Sequence, residues 1–413
     1  GFKGARAAKT STDYFLAGRS IGIWVFVLAA TATSFSGWTF VGHPGKIFTD
    51  GLPYAFASFY ALTIPFTGVL FLRRQWVLGK AYNYITPGEM YSDYYGGNAI
   101  RLLTVLVAFL FSVPYLGVQL RASGSLFNVL TDGLIPVNVG MIALSTVVMI
   151  YVASGGLKSV AFVDCAQAIL LALGITVLGG VVLYYLGGWS GFTGGLAELV
   201  RLDVESGKNL TLDGYSTKVA IPGSIQMVSA GSNSIGGGWT GIMCMTYMFA
   251  LMGIQSSPAF SMWAFSNKTS RAFRWQQVVA SALVIGVILF TFTIFQGLGG
   301  QMLVYKGILV DVTDSNLVPK IISLLSQSAP WLVGLLAVCA LAAMQSTGAA
   351  YMSTFSAMVT RDIYAKYFSP DATDKSQKFT GRLFVVLVTV AALIVAANSS
   401  QAIVMLGGLA VAY

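Results

Sequence analysis

The sequence predicts an all-helical integral membrane protein, on three observations. Only 9% of the 413 residues are charged, and 56% are hydrophobic. The apolar residues fall in runs long enough to cross a bilayer, which takes about 20 of them in a helix. Glycine is abundant, at 46 residues, as expected where helices pack closely in lipid. A soluble chain carries about 25% charged residues. With so few, this chain could not coat its own surface with polar groups, whereas lipid solvates apolar side chains directly.

Composition also excludes several functions. A net charge of +9 in a soluble protein would suggest nucleic acid. In a membrane protein it reflects the Lys/Arg excess of cytoplasmic loops, so no nucleic-acid partner is expected and the lipid bilayer is. Cys165, Cys244 and Cys339 lie in apolar runs and read as buried thiols. One histidine and no Cys/His cluster argue against a transition-metal centre. No nucleophile–base set appears, so no enzyme is expected. No cleavable signal peptide is visible, and both ends look trimmed.

In chain order, apolar runs fall at roughly 20–45, 53–77, 101–130, 134–153, 158–186, 240–266, 275–302, 329–358, 379–397 and 400–413, the last incomplete. The polar connections 187–239 and 303–328 are long, and the first is expected to hold a short surface helix. With residues 1–19 placed in the cytoplasm, 17 of the 24 basic residues fall on inside loops and flanks, an asymmetry that fixes the orientation by the positive-inside rule. Ten spans divide into two sets of five, 20–186 and 240–413, joined by an extracellular loop, 187–239.

Each set opens on an interrupted helix, the strongest sequence pointer to an inverted-repeat transporter. The first span carries Thr31-Ala-Thr-Ser34-Phe-Ser36-Gly37 at mid-depth. The sixth carries Gly253-Ile-Gln255-Ser256-Ser257-Pro258, and proline there removes a backbone donor and clashes with the preceding turn. Unwound backbone at that depth is tolerated only where it lines a cavity or is buried in protein. Two readings stand: the breaks mark a solute site, or they are kinks without function.

The eighth span holds Ser346 and Thr347 side by side. Such hydroxyls often only bond back to the carbonyl one turn earlier. Together with carbonyls freed between Ala32 and Phe35, they would instead suit a sodium ion, which as a small, hard cation takes several oxygen ligands. In the third span Arg121 lies about ten residues, roughly 15 Å, below the helix end. A charge at that depth usually faces the bundle interior, where an arginine fork suits a carboxylate; the alternatives are snorkelling outward or binding unwound backbone.

Several motifs in order resemble the sodium/solute symporter family, whose members include sodium/proline, sodium/galactose, sialic acid and pantothenate symporters. They are Asp13-Tyr-Phe-Leu-Ala-Gly-Arg19, Ser36-Gly37-Trp38, Pro44-Gly45, the Gly155-Gly156 segment running to Asp164 and Gln167, and Ser346-Thr347 ahead of Thr360-Arg-Asp362-Ile-Tyr364. The resemblance implies a leucine-transporter-like fold of two inverted five-helix repeats in a bacterial inner membrane. It implies sodium-coupled symport of a small organic solute by alternating access, with Na+ bound by backbone oxygens of Ala32, Phe35 and Ala343 and the hydroxyls of Ser346 and Thr347.

Solute contacts are expected from Ser36 at the first break, from Tyr115, Gln119 and Arg121 on the third span and from Gln255, Ser256 and Ser257 at the second break, and the resemblance adds Trp38 and Thr39. An aspartate of the proline branch is replaced by Ser34, against proline as solute, and Thr39 replaces a longer polar residue of the sugar branch. A second cation at Asp164 is disfavoured, because two serines that would join it are Ala349 and Ala350; a helix cap or a pair with Lys158 is the plainer role. His43 is expected to be structural. The region from Phe35 to Gly45 also looks similar to transporter-like domains of sensor histidine kinases, so a sensory domain with a C-terminal signalling partner is the alternative; a channel lacks any filter motif.

Overall fold

A computed structural model describes residues 8–211, 214–224, 227–228 and 238–398. The described residues are helical apart from turns and one isolated bridge between Ile21 and Asn267. Among the described residues, five helices are long and apolar enough to cross a membrane, or six when a bent pair is counted as one span. The expected run 400–413 lies outside the described residues.

Counting α-helices of six residues or more, α1 is Ser11–Leu16 and α2 is Ile23–Ser34. A π-helical turn, Trp38–Gly42, leads into α3, His43–Asp50. The two halves of this first span meet at 54°. Next come α4, Tyr60–Tyr82, and the short α5, Pro87–Tyr95, capped by the Thr86 side chain. The long α6 is Asn98–Leu130, with Pro114 inside it, and α7 is Val137–Leu186. The connection after it does contain a surface helix, α8, Gly188–Glu205.

The second half opens with α9, Gly241–Met252, a 3-10 turn at Gly253–Ser256, and α10, Pro258–Ser266. A π-helical run, Trp275–Gly286, continues as α11, Val287–Tyr305. The connection expected to be merely polar holds a buried helix, α12, Leu317–Ser323. Finally, α13 is Pro330–Met358 and α14 is Asp374–Asn398. At the centre, α13 packs against α2, α6, α7 and α14. Side chains such as Leu102, Leu106, Ile142 and Leu387 point outward, an apolar exterior that only lipid solvates cheaply.

The runs 134–153 and 158–186 are not separated by a loop. They are two helices that meet at one residue and together make up α7, whose 50 residues as one straight rod would measure about 75 Å, more than twice the ~30 Å hydrocarbon core. Gly156, at φ 58° and ψ −153°, folds it into two arms. A kink there strands the carbonyls one turn earlier, which must find other donors in a dry interior. The Tyr14 hydroxyl donates to the Val152 and Ala153 carbonyls at 3.3 and 3.2 Å, and Arg382 Nε to Ala153 at 3.0 Å. Two of the sequence motifs, the segment 13–19 and the glycine pair, are thus halves of one joint.

A Cβ on Gly156 would stand 2.1 Å from the Tyr14 carbonyl oxygen, and the backbone angle itself is one that L side chains rarely adopt. Gly156→Ala is therefore expected to destabilise the fold by about 1–3 kcal/mol or more. Thermal unfolding of the detergent-solubilised protein measures it, and an unchanged midpoint would contradict the joint.

Candidate cation and solute site

The backbone between α2 and α3 supplies the site's first components. Helix α2 ends at Ser34, Phe35 is extended at φ −117° and ψ 111°, and its amide reaches back to the Ala32 carbonyl at 3.3 Å. Ala32, Thr33 and Ser34 are buried, so carbonyls beyond the last helical turn cannot turn to water. Ser346 Oγ donates to the Ala32 carbonyl and to the Ala343 carbonyl, both at 3.1 Å. Thr347 Oγ1 donates to the Thr33 carbonyl at 3.3 Å. These hydroxyls do more than bond back along their own helix: they tie α13 to the ruptured end of α2. Of the expected cation ligands, Ala32, Ala343 and Ser346 share hydrogen bonds, and Thr347 meets the neighbouring carbonyl of Thr33. Phe35 is tied to the set through Ala32.

The same oxygens fit a small hard cation. Ser346 and Thr347 are fully buried, and a hydroxyl that now donates to a carbonyl can rotate and offer its lone pairs. No His, Cys, Asp and Glu cluster able to hold a metal occurs among the described residues, so any ion here would be held by neutral oxygens.

Beyond the break, Ser36 and Gly37 face α6. The Tyr115 hydroxyl donates to Ser36 Oγ at 3.3 Å, and the Gly37 amide donates to Gln119 Oε1 at 2.7 Å. Gln119 Nε2 in turn donates to the Tyr115 carbonyl, and Thr39 Oγ1 accepts from the Ser36 amide. A Cβ on Gly37 would lie 2.7 Å from Met344 and 2.9 Å from Gln119, so only glycine permits this approach of the break to both helices. Trp38 is buried and lies against His43, which lies against Tyr54 in turn, with ring centroids 5.2 Å apart at each contact. His43 is thus part of an aromatic stack, as expected of a structural histidine.

The second break has a local cause. Pro258 begins α10, and the residue before a proline is pushed out of the helical region; Ser257 sits at φ −64° and ψ 156°. Its hydroxyl meets the Tyr351 hydroxyl at 3.3 Å. Tyr351 packs edge-on against Tyr115, at 5.2 Å, and also against Phe111. A buried aromatic bridge therefore runs from Ser36 at one break to Ser257 at the other. Sequence reasoning passed over Tyr351, although its position one turn beyond Thr347 puts it on the same face of α13.

Gln255 and Ser256 do not join this set. Gln255 is buried on the other side of the break, where its Nε2 donates to Ser34 Oγ at 3.2 Å and its Oε1 accepts from Gln277 at 2.9 Å. Gln277 and Gln276 belong to the π-helical run and extend this amide network to Thr31 and Ser281. Ser256 is exposed and lines a separate groove of about 420 Å³ beside Pro87, Tyr91 and Ser261. Arg121 is half-buried one residue from Ala122, which faces Gly37, and it makes no ion pair or hydrogen bond to a described residue.

Asp164 departs from the plainer expectation. It stands two turns beyond the Gly156 joint and is fully buried, so it caps no helix start. Neither carboxylate oxygen has a partner among the described residues, Lys158 included. One turn on, Gln167 Nε2 donates to Gln345 Oε1 at 2.8 Å. Cys244 and Cys339 are buried, whereas Cys165 is only half-buried, and all three thiols are free.

Comparison with known proteins bears on this geometry. The model of the Sodium:solute symporter family matches residues 14–413. The High-affinity proline transporter PutP of Bacillus subtilis (strain 168) is 26% identical over 407 residues, covering 98% of this chain and 79% of its own length. The Sodium/proline symporter of Escherichia coli (strain K12) is 24% identical, covering 96% and 74%. Among solved structures, a substrate-bound, outward-open Na+-coupled sialic acid symporter superposes with a TM-score of 0.72 at 17% identity, covering 99% of this chain and 81% of its own.

The placement of Gln255 makes it a strut between the breaks. Gln255→Leu would leave Ser34 and Gln277 short of a buried partner, at about 1–3 kcal/mol. The expected outcome is a lower thermal midpoint with ligand-induced stabilisation retained; a normal midpoint with that stabilisation lost would make it a ligand instead.

Proposed function

The chain belongs to the sodium:solute symporter family, and from that premise we propose how its broken helices couple sodium to solute. It has the leucine-transporter-like fold, it is a sodium-coupled symporter, and it is not an enzyme. The sensory-domain alternative is not favoured, because these relatives, which span nearly all of this chain, are named as a transporter and a symporter. The reading divides the chain into an N-terminal cytoplasmic segment, a five-helix repeat over 20–186, a loop over 187–239 and a second repeat over 240–413. It sets the protein in a bacterial inner membrane with its N-terminal segment inside.

Sodium occupies the oxygens of Ala32, Phe35, Ala343, Ser346 and Thr347, with Thr33 as a further carbonyl beside Thr347. One observation carries this: Ser346 Oγ already bridges carbonyls of both helices at 3.1 Å. Arrival of the cation replaces hydroxyl–carbonyl hydrogen bonds with ion–oxygen contacts and pulls α13 and the end of α2 onto a common centre. The solute lies on the other side of the same segment, against Ser36, Trp38, Thr39, Tyr115 and Gln119, with Tyr351 and Ser257 on the opposite wall. Rocking of one helix bundle against the other then exposes both ligands to the far side.

The solute is proposed to carry a carboxylate, which Arg121 would grip with its planar fork. In support, Arg121 has no counter-ion among the described residues, and a charge at such depth is usually functional. The relatives named for proline and for sialic acid both handle carboxylates. Ser34, on the strut to Gln255 rather than at the aromatic bridge, offers no charge of its own for a solute amine and argues against proline itself. Asp164 remains a candidate for a second cation on the strength of its two unpartnered oxygens, although Ala349 and Ala350 bring it no hydroxyl.

Two measurements test these assignments. Ser346→Ala and Thr347→Ala are each expected to raise the sodium concentration for half-maximal uptake into proteoliposomes about tenfold, the equivalent of ~1.4 kcal/mol. Unaltered sodium dependence in both refutes the cation site. Arg121→Gln is expected to abolish solute-induced thermal stabilisation by carboxylates while stabilisation by sodium alone persists; intact carboxylate affinity refutes the solute class.

A further inference from the structure

Away from the broken helices, four arginines gather at one edge of the bundle with nothing to neutralise them. Arg73 and Arg74 lie on the exposed face of α4, and Arg271 and Arg274 are the ends of the helical turn just before the π-helical run. None makes an ion pair with a described residue. Two adjoining grooves share Arg73: one of about 640 Å³ reaches Arg271, Arg274 and Trp275, and one of about 550 Å³ reaches Arg74. Like charges in one concavity repel, and the arrangement becomes favourable once an anion enters.

What adjoins the grooves decides which anion. Leu70, Val77 and Leu78 line the second groove and are exposed, at 53%, 50% and 39%. They lie on the same helix as the two arginines, so the cationic concavity opens onto an apolar helix face. Trp275 is 45% exposed at the rim, and tryptophan is enriched at the level of lipid headgroups. A soluble anion would have no use for the apolar strip. A phospholipid has both halves: a phosphate for the guanidinium forks and acyl chains for the leucine and valine side chains.

We propose that the groove between α4 and the segment Arg271–Trp275, together with the adjoining groove along α4, forms a binding site for an anionic phospholipid. Basic pockets between membrane helices recognise such headgroups by this chemistry. The same segment, 271–286, carries Gln276 and Gln277, the amides that brace Gln255 behind the second break. A lipid seated here therefore stabilises the wall against which the solute site is built.

Thermal unfolding in nanodiscs of phosphatidylcholine, with and without one-third phosphatidylglycerol, tests the site directly. Phosphatidylglycerol is expected to raise the midpoint by several degrees, and Arg271→Gln/Arg274→Gln to remove most of that gain. Lys366→Gln/Lys375→Gln deletes two exposed charges elsewhere and is expected to keep it. Should the first pair fail to fold, Arg73→Gln/Arg74→Gln takes its place with the same expected loss. Equal midpoints in the two lipids, or equal losses in both double variants, would overturn the proposal in favour of none or only diffuse attraction. Inorganic phosphate added to the phosphatidylcholine sample is expected to do nothing; stabilisation matching that of the lipid would equally overturn it.

Discussion

Every structural feature of this protein answers to one constraint: a backbone amide or carbonyl inside a bilayer must find its partner within the protein. Continuous helices satisfy it without help, and they make up most of the chain. Each interruption then requires an explanation in terms of specific donors. At the Gly156 joint, Tyr14 and Arg382 reach in to meet the carbonyls that the kink strands. At the first break, Ser346 and Thr347 do so from across a helix interface. At the second, a proline removes a donor, and Gln255 and Ser257 tie the flanking turn to its neighbours. The first two of these arrangements differ in one respect that matters. Arg382 can only donate, and the Tyr14 hydroxyl is already engaged by two carbonyls, so their joint is a scaffold. Ser346 and Thr347 offer hydroxyls, which donate or accept by rotating one bond, so theirs can exchange a hydrogen bond for a cation.

The fold was legible because lipid simplifies the code. Length and apolarity of a run announce a span, and nearly every expected run has its helix. The departures have local causes. The runs 134–153 and 158–186 have their two helices, but Gly156 alone joins them where a gap of four residues was expected. Residues 303–328 read as polar, yet Leu317–Ser323 inside them is buried, since a short amphipathic segment is masked by its charged flanks. The hydroxyl pair at 346–347 and the two breaks stood out because polar residues are rare at that depth, and rarity made them informative.

The solute wall was less legible. Gln255 and Tyr115 look alike in sequence terms, as polar groups near a break, but hydrogen-bond demand separates them. A carboxamide carries both a donor and an acceptor end, each costly to leave unmet in a dry interior, and Gln255 engages both ends, with Ser34 and Gln277. A tyrosine has one hydroxyl and a large apolar ring, so it can line a site and leave its polar end for a ligand. Tyr351 was missed for the converse reason. In a span rich in aromatic and apolar residues it looks like packing, and only its meeting with Ser257 across 94 residues of sequence marks it as a bridge.

On the proposed assignment of the site, coupling follows from how little chain separates its two halves. The carbonyls of Ala32 and Thr33 face α13, while Ser36 and Gly37 face α6, and between them runs a short stretch with no helical ladder to hold it. In the proposed scheme, each ligand helps to order this stretch as it binds. The first to arrive bears the entropy of ordering, and the second finds the segment already set. Because linkage is reciprocal, solute must then tighten sodium by the same factor that sodium tightens solute. A continuous helix could not do this, since it is ordered before either ligand arrives. In the proposed scheme, the rupture that membrane solvation makes so difficult to sustain is what would let a cation and an organic solute sense one another without touching.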